Sequence, residues 1–234
     1  MIEWIFPIKC PICNQIVIPK GEIYHLECIV KLEFLTEPFC KKCGIPIKSE
    51  EQEYCNQCTL EDRSWDFGRS IFYYRGIAKQ ILYQVKQEGT KEIINFFTLQ
   101  MKKTQKDYIQ TIAPDCLVPV PLHSSKFRKR GFNQAELLAR EFGTQLNIPI
   151  RLLLRKTQKT KDQKNLNRIE RKKNVKDVFC VDVAEIEKGI PKSVLLIDDV
   201  STTGSTLTEC AKVLKCQGVQ KVSFLSICAG EQLR

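Results

Sequence analysis

Val194-Leu195-Leu196-Ile197-Asp198-Asp199-Val200-Ser201-Thr202-Thr203-Gly204-Ser205-Thr206 reads as a short strand, an acidic tip, a small-residue turn and the start of a helix. Val194–Ile197 is apolar and partly β-branched, and four residues are too few for a helix. Asp198 and Asp199 stand at its end, followed by hydroxyl residues around Gly204. An amphipathic segment with Leu207, Ala211, Val213 and Leu214 continues as the helix. N–H groups at such a turn, aided by the helix dipole, suit a phosphate. Two carboxylates beside it suit the paired hydroxyls of a ribose, or a Mg²⁺ bound to them. A ribose 5-phosphate is the simplest ligand presenting both groups, and the competing reading is a helix N-cap with spare acids. The chain contains no G-x-x-x-x-G-K-[ST], so the double Asp is not the metal-binding strand of a P-loop protein. No G-x-G-x-x-G follows a strand either, which leaves a dinucleotide fold unsupported.

The same grammar recurs upstream. Cys116–Pro121 is an apolar strand that ends in prolines, as a strand tip should. A loop over His123–Gln134 follows, with Lys126, Arg128, Lys129 and Arg130, and leads into a helix predicted over Ala135–Leu146. Further strands are predicted at Ser70–Tyr74, Leu152–Leu154, Val178–Val183 and Val222–Cys228, and helices over Ile77–Gln87 and Glu92–Met101. Strands alternating with helices imply an α/β fold, a parallel sheet with helices on both faces. Ligands of such sheets bind beyond the carboxyl ends of the strands. Both the Asp198–Thr206 and the His123–Gln134 segments are expected at that edge.

The N-terminal quarter obeys a different rule. Shifted by thirty, residues 10–28 overlay residues 40–58: Cys10 falls on Cys40, Cys13 on Cys43, His25 on Cys55 and Cys28 on Cys58. The units read C-x2-C-x11-H-x2-C and C-x2-C-x11-C-x2-C, and the one mismatch exchanges Cys for His, another zinc ligand. Each unit is too small to bury a core, so a metal would supply folding free energy. Two structural Zn²⁺ ions closed to substrate are expected, with pairing inside each repeat favoured and pairing across repeats left open. Cys116, Cys180, Cys210, Cys216 and Cys228 lack such spacing and read mostly as core thiols. The polar stretch TLEDRSWDFG after Cys58 marks a boundary between a zinc-ribbon domain at 1–60 and an α/β domain at 61–234.

Charge is uneven along the chain. The formal net charge is +10, and between Arg151 and Lys176 eleven Lys or Arg face only Asp162 and Glu170. Such a run is either a solvated face or the footprint of a polyanion. Aromatic residues that could stack on bases are absent from its cationic core; Trp4, Phe6, Tyr24, Phe34, Phe39 and Tyr54 in the N-terminal domain are the available ones, with packing their more ordinary use. The N-terminus has no basic segment ahead of a long apolar core, and eighteen apolar residues nowhere run together. A cytoplasmic chain without membrane insertion is expected, where cysteines serve metals better than disulfides.

VLLIDDVSTTGST resembles the phosphoribosyl pyrophosphate (PRPP) signature of type I phosphoribosyltransferases, departing at Ser201, where that family more often has an aliphatic or aromatic residue. The ordered set of a cysteine-rich N-terminus, V-P-V-P-L-H (118–123), R-G-F-N-Q-A-x-L-L-A (130–139), N-x-x-R-x-x-R-K-x-N-V (165–175) and D-D-V-x-T-T-G (198–204) resembles the ComF family over almost the entire chain. That family usually has Cys where His25 stands. The resemblance implies a type I phosphoribosyltransferase-like sheet preceded by a double zinc ribbon, PRPP binding, and handling of single-stranded DNA in natural transformation. A helicase of the competence machinery is an implied partner.

Carried over residue by residue, Asp198 and Asp199 would accept hydrogen bonds from the ribose 2- and 3-hydroxyls, with Mg²⁺ nearby. Thr202, Thr203, Gly204, Ser205 and Thr206 would wrap the 5-phosphate. Arg130, Gly131, Phe132 and Asn133 match the region expected to meet the pyrophosphate, and Asp198, Asp199 and Arg130 form the expected catalytic set. The Arg155–Lys176 segment would close over the ligand and supply cations to the departing pyrophosphate. His123, without an acid or nucleophile partner in sequence, reads as positional rather than as a general base. An enzyme transferring a phosphoribosyl group, a non-catalytic ligand-sensing DNA adaptor and a nucleotide-salvage enzyme remain the alternatives, and the acceptor is not legible.

Overall fold

The computed structural model describes residues 7–19, 21–158, 170 and 174–230. In chain order the described strands are β1 (Gly68–Tyr73), β2 (Cys116–Pro119), β3 (Leu154–Lys156), β4 (Phe179–Val181), β5 (Ser193–Ser201) and β6 (Lys221–Ala229). The described helices are α1 (Leu26–Ile29), α2 (Asn56–Leu60), α3 (Gly76–Glu88), α4 (Lys91–Thr104), α5 (Lys106–Ile112), α6 (Ser124–Arg130), α7 (Gln134–Leu146), α8 (Val183–Ile186) and α9 (Ser205–Cys216). Four strands form one sheet in the order β1-β6-β5-β2, every pair parallel. None of the described helices is long and apolar enough to cross a membrane.

Strand β5 runs through the middle and is apolar on both faces, as a strand covered on both sides must be. Alternation sends Leu195 and Ile197 into one core, with Phe72, Phe96, Leu138, Leu225 and Ile227. Val194 and Leu196 go into the other, with Val118, Leu207, Leu214, Val222 and Phe224. Helix α7 lies against β5 and β2 and contacts α4, whereas α9 lies against β6 and β4. The two cysteine repeats divide between these cores. Cys10, Tyr24, Cys28 and Leu32 join the first, and Cys40, Cys43 and Cys55 join the second.

Both edges of the sheet are covered, which blunts the template that an open edge offers. Beside β1, Phe34 bridges Phe72, and the Leu35 N–H donates to the Ile71 carbonyl at 2.8 Å. Beside β2, Ile150 bridges Leu117 in parallel. That occupied edge explains why the strands expected near Leu152–Leu154 and Val178–Val183 do not extend the parallel sheet. They form instead a separate antiparallel pair, β3 with β4, whose Leu154 and Phe179 are buried in the second core.

Two other expectations shift. The strand expected to stop at Ile197 continues to Ser201, paired with β6 as far as Ser201↔Ala229, while its pairing with β2 stops at Pro119↔Ile197. Prolines at 119 and 121 cannot donate to a ladder, so β2 ends first. The basic loop after His123 is the seven-residue helix α6, with His123 Nδ1 accepting from the Ser125 N–H at 3.1 Å and Gly131 closing the far end at φ +82°. Arg128, Lys129 and Arg130 occupy its last turn, where the dipole favours cations.

Gly68 tests the second core. A Cβ at this β1 position would lie 2.0 Å from the ring of Phe224, itself edge-to-face with Trp65 at 5.1 Å. Gly68→Ala is expected to destabilise the chain by about 1–3 kcal/mol, read from the denaturant midpoint. Adding Phe224→Leu is expected to recover part of the loss.

Candidate functional site

Asp198 and Asp199 sit where β5 has outrun β2, so the strand edge beside them is free of that ladder. Neighbouring strand positions point to opposite faces, and the two acids differ accordingly. Asp199 lies on the side of Leu195 and Ile197, is 7% exposed, and pairs with Lys86 Nζ of α3 at 2.6 Å. Asp198 lies on the other side, half-buried, and accepts the Asp199 N–H at 2.8 Å. Burial, followed by the neighbouring Asp199, pushes the Asp198 carboxyl well above the usual carboxylate range. Burial acts on Asp199 too, but the Lys86 ammonium outweighs it and holds this carboxyl low. Lys86 is correspondingly raised against the opposing effect of burial. Lys156 of β3 faces the same region and is lowered by burial and by Lys126, with Asp198 acting the other way.

The small-residue turn follows directly. Gly204 takes a left-handed φ of +71° at the N-cap of α9, a twelve-residue helix whose first N–H groups belong to Ser205 and Thr206. The hydroxyls of Thr203 and Ser205 are 2.8 Å apart, and the Thr208 N–H donates to the Gly204 carbonyl at 2.8 Å. Gly230 holds the other side, since its N–H donates to the Ser201 carbonyl at 2.7 Å and a Cβ there would meet Thr202 at 2.8 Å. The arrangement places two carboxylates, backbone donors and a helix dipole at one sheet edge.

The second expected segment begins at the carboxyl end of β2, the strand next to β5. Here several residues already carry local duties. Asn133 is buried, its Oδ1 capping α7 through the Ala135 N–H and its Nδ2 donating to the Val120 carbonyl, both at 3.1 Å. Phe132 lies against Gly89, where a Cβ would come within 2.8 Å of the ring. Arg130 Nη1 donates to Gln134 Oε1 at 2.9 Å, and Gly131 has open space beside its Cα. His123 caps α6, which agrees with a positional role. The expected closing segment, Arg155–Lys176, lies outside the described residues at 159–169 and 171–173, as do Trp4 and Phe6.

Sequence reasoning missed Lys86. It stands four residues after buried Leu82, on the inward flank of α3, and that spacing is the only signal it leaves. Arg63 and Trp65 were missed as well. The stretch TLEDRSWDFG was expected to be a polar boundary, yet Trp65 is 1% and Arg63 6% exposed. Cys116, Cys210 and Cys228 are buried as expected of core thiols, Cys180 is half-buried, and Cys216 is exposed near the end of α9.

The cysteine repeats gather their ligand atoms within each unit. Cys10, Cys13, His25 and Cys28 form one group and Cys40, Cys43, Cys55 and Cys58 the other, with all candidate atoms of a group inside 4.8 Å. Zinc–sulfur bonds of about 2.3 Å in a tetrahedron put sulfurs about 3.8 Å apart, and Cys43 and Cys55 Sγ are 3.7 Å apart. His25 Nδ1 lies 3.3 Å from Cys13 Sγ and 4.0 Å from Cys28 Sγ, while Nε2 donates to the Ile16 carbonyl at 3.0 Å. That outer bond leaves Nδ1 free to ligate. The donor sets therefore fit two structural zinc ions.

Known proteins agree with both halves. Residues 1–59 match the double zinc ribbon domain family, and residues 126–234 match the phosphoribosyl transferase domain family. The chain is 29% identical to Competence protein F of Haemophilus influenzae, over 79% of this chain and 82% of that protein. It is 30% identical to Competence protein ComFC of Bacillus subtilis, over 82% of this chain and 77% of the relative. DNA utilization protein YhgH of Escherichia coli K12 is 26% identical, over 81% and 83%.

Metal analysis of the purified chain is expected to find about two zinc ions. Replacing Cys40 and Cys43 together with Ser should leave about one, because the other group is complete without them. A wild-type content of one or none would contradict two closed four-ligand sites.

Proposed function

Because this chain belongs to the ComF family, we propose that it binds PRPP or a related phosphoribosyl ligand at the carboxyl edge of its sheet and handles single-stranded DNA. The observation that carries the ligand half is the continuous run from Asp198 through the Gly204 turn into α9. The 5-phosphate lies against the N–H groups at the start of α9, with the Thr203 and Ser205 hydroxyls as further donors. Asp198 accepts from the ribose hydroxyls. Asp199, already held by Lys86, fixes the strand end and keeps negative charge behind it.

Mg²⁺ bound to the ligand's own oxygens would neutralise the pyrophosphate charge, and Asp198 is the acid exposed enough to face it. Arg130 of α6 and Lys156 of β3 supply cations toward that edge. If a phosphoribosyl group is transferred, the carbon–oxygen bond to pyrophosphate breaks and the acceptor takes its place. The protein's tasks are then to steady the leaving group and exclude water. The DNA half rests on the names of the relatives, which refer to competence and DNA utilization, together with a net charge of +10.

Calorimetric titration with PRPP and Mg²⁺ tests the reading. Wild type is expected to bind, and Asp198→Asn to bind about tenfold more weakly, the loss of one hydrogen bond that the carboxyl accepts from the ribose. Absence of wild-type binding would remove the ligand claim. Release of pyrophosphate across a panel of bases and oligonucleotides would identify a transferase, and binding without release an adaptor. A parallel titration with a single-stranded oligonucleotide should weaken steeply as salt rises.

A further inference from the structure

The outer side of the phosphate turn is closed by protein. Trp65 and Arg63, from the stretch between the second cysteine group and β1, lie directly against it. A Cβ on Gly204 would come 2.4 Å from Trp65 Cη2 and 3.3 Å from Arg63 Nη1. Glycine is therefore needed at 204 for the indole as well as for its left-handed φ. Arg63 Nη1 donates to the Thr203 carbonyl at 2.8 Å, its Nη2 pairs with Glu61 at 3.0 Å, and the guanidinium lies over the Trp65 ring at 5.2 Å. Trp65 in turn donates from Nε1 to the Lys42 carbonyl at 3.3 Å, between Cys40 and Cys43. Cys43, Cys58, Arg63, Trp65 and Thr202–Gly204 line one small cavity.

We propose that Arg63 and Trp65 are positioning residues that hold the phosphate turn in its anion-binding geometry against the second cysteine group. The inference rests on the phosphoribosyl reading of the turn. Its physical basis is the peptide unit joining Thr203 to Gly204, which is planar and trans. In such a unit the carbonyl and the N–H point in opposite directions. Arg63 draws the Thr203 carbonyl toward the ribbon, so the Gly204 N–H is turned away from the ribbon, toward the side where a ligand would sit. A buried cation on the carbonyl also polarises that amide, strengthening its N–H as a donor. Trp65 backs the ribbon side of Gly204, and a flipped peptide would turn the Gly204 N–H toward the Arg63 guanidinium, donor against donor.

The second cysteine group has this route to the turn. The first group lies in the opposite core, with Tyr24 and Phe96 edge-to-face at 5.5 Å. A positioning role predicts an effect on affinity that is larger than any effect on folding.

The test is titration of wild type, Arg63→Gln and Arg63→Lys with ribose 5-phosphate, followed by calorimetry and by the Gly204 amide resonance in a ¹⁵N-labelled chain. Wild type should shift this resonance on binding. Arg63→Gln is expected to bind about tenfold more weakly, the loss of one oriented charge-assisted contact, and to show a displaced Gly204 resonance before ligand is added. Arg63→Lys should recover most of the affinity. An Arg63→Gln protein that binds as wild type with an unmoved resonance overturns the inference while leaving the ligand reading intact. Failure of wild type to bind overturns both. If Arg63→Gln does not fold, Trp65→Phe carries the test: it keeps an aromatic ring but loses the Nε1 donor and the ring edge at Gly204, and unchanged affinity and resonance in that variant overturn the inference.

Discussion

A strand turns successive side chains to opposite faces, and in this protein the alternation along β5 organises everything around it. Leu195 and Ile197 enter one core and Val194 and Leu196 the other. Each aliphatic side chain moved fully out of water is worth about 1.5–3 kcal/mol, so the register of β5 cannot slip without exchanging both cores. The same alternation then separates the acids. Asp199 is delivered to α3 and Lys86, and Asp198 to the side of β3 and α9. Two adjacent residues thus acquire unlike environments, one clamped and low in proton affinity, the other half-buried and high.

The cysteine repeats are built into this plan. Neither repeat has enough apolar residues to fold alone, and each completes a different face of the sheet. Metal binding and burial are therefore joint sources of order for the N-terminal segment. Strand β1 makes the connection firm, because the Phe34 region pairs along its edge. The second repeat goes furthest, reaching through Trp65 and Arg63 to the turn before α9.

What the sequence revealed were features written in local spacing. The C-x2-C pairs, the apolar run into Asp198 and Asp199, and the amphipathic helix after Gly204 each depend on residues close together in the chain. The parallel sheet followed from the alternation of such segments. What stayed hidden depends on contacts made across the fold. Arg63 meets Thr203 from 140 positions away, and Lys86 meets Asp199 of β5 from helix α3, more than a hundred positions earlier in the chain. The basic run after His123 resembled a loop because its helix has few apolar residues, and only its caps reveal it. The β3–β4 pair could not be distinguished from sheet members because a short apolar strand does not encode its neighbour.

A crystal structure of the zinc-loaded protein with PRPP and Mg²⁺ is the most direct measurement of the central claim. The expected result places the 5-phosphate within hydrogen-bond reach of the Gly204, Ser205 and Thr206 amides, with the ribose hydroxyls facing Asp198. A ligand bound elsewhere, or a phosphate turned away from the start of α9, would contradict it.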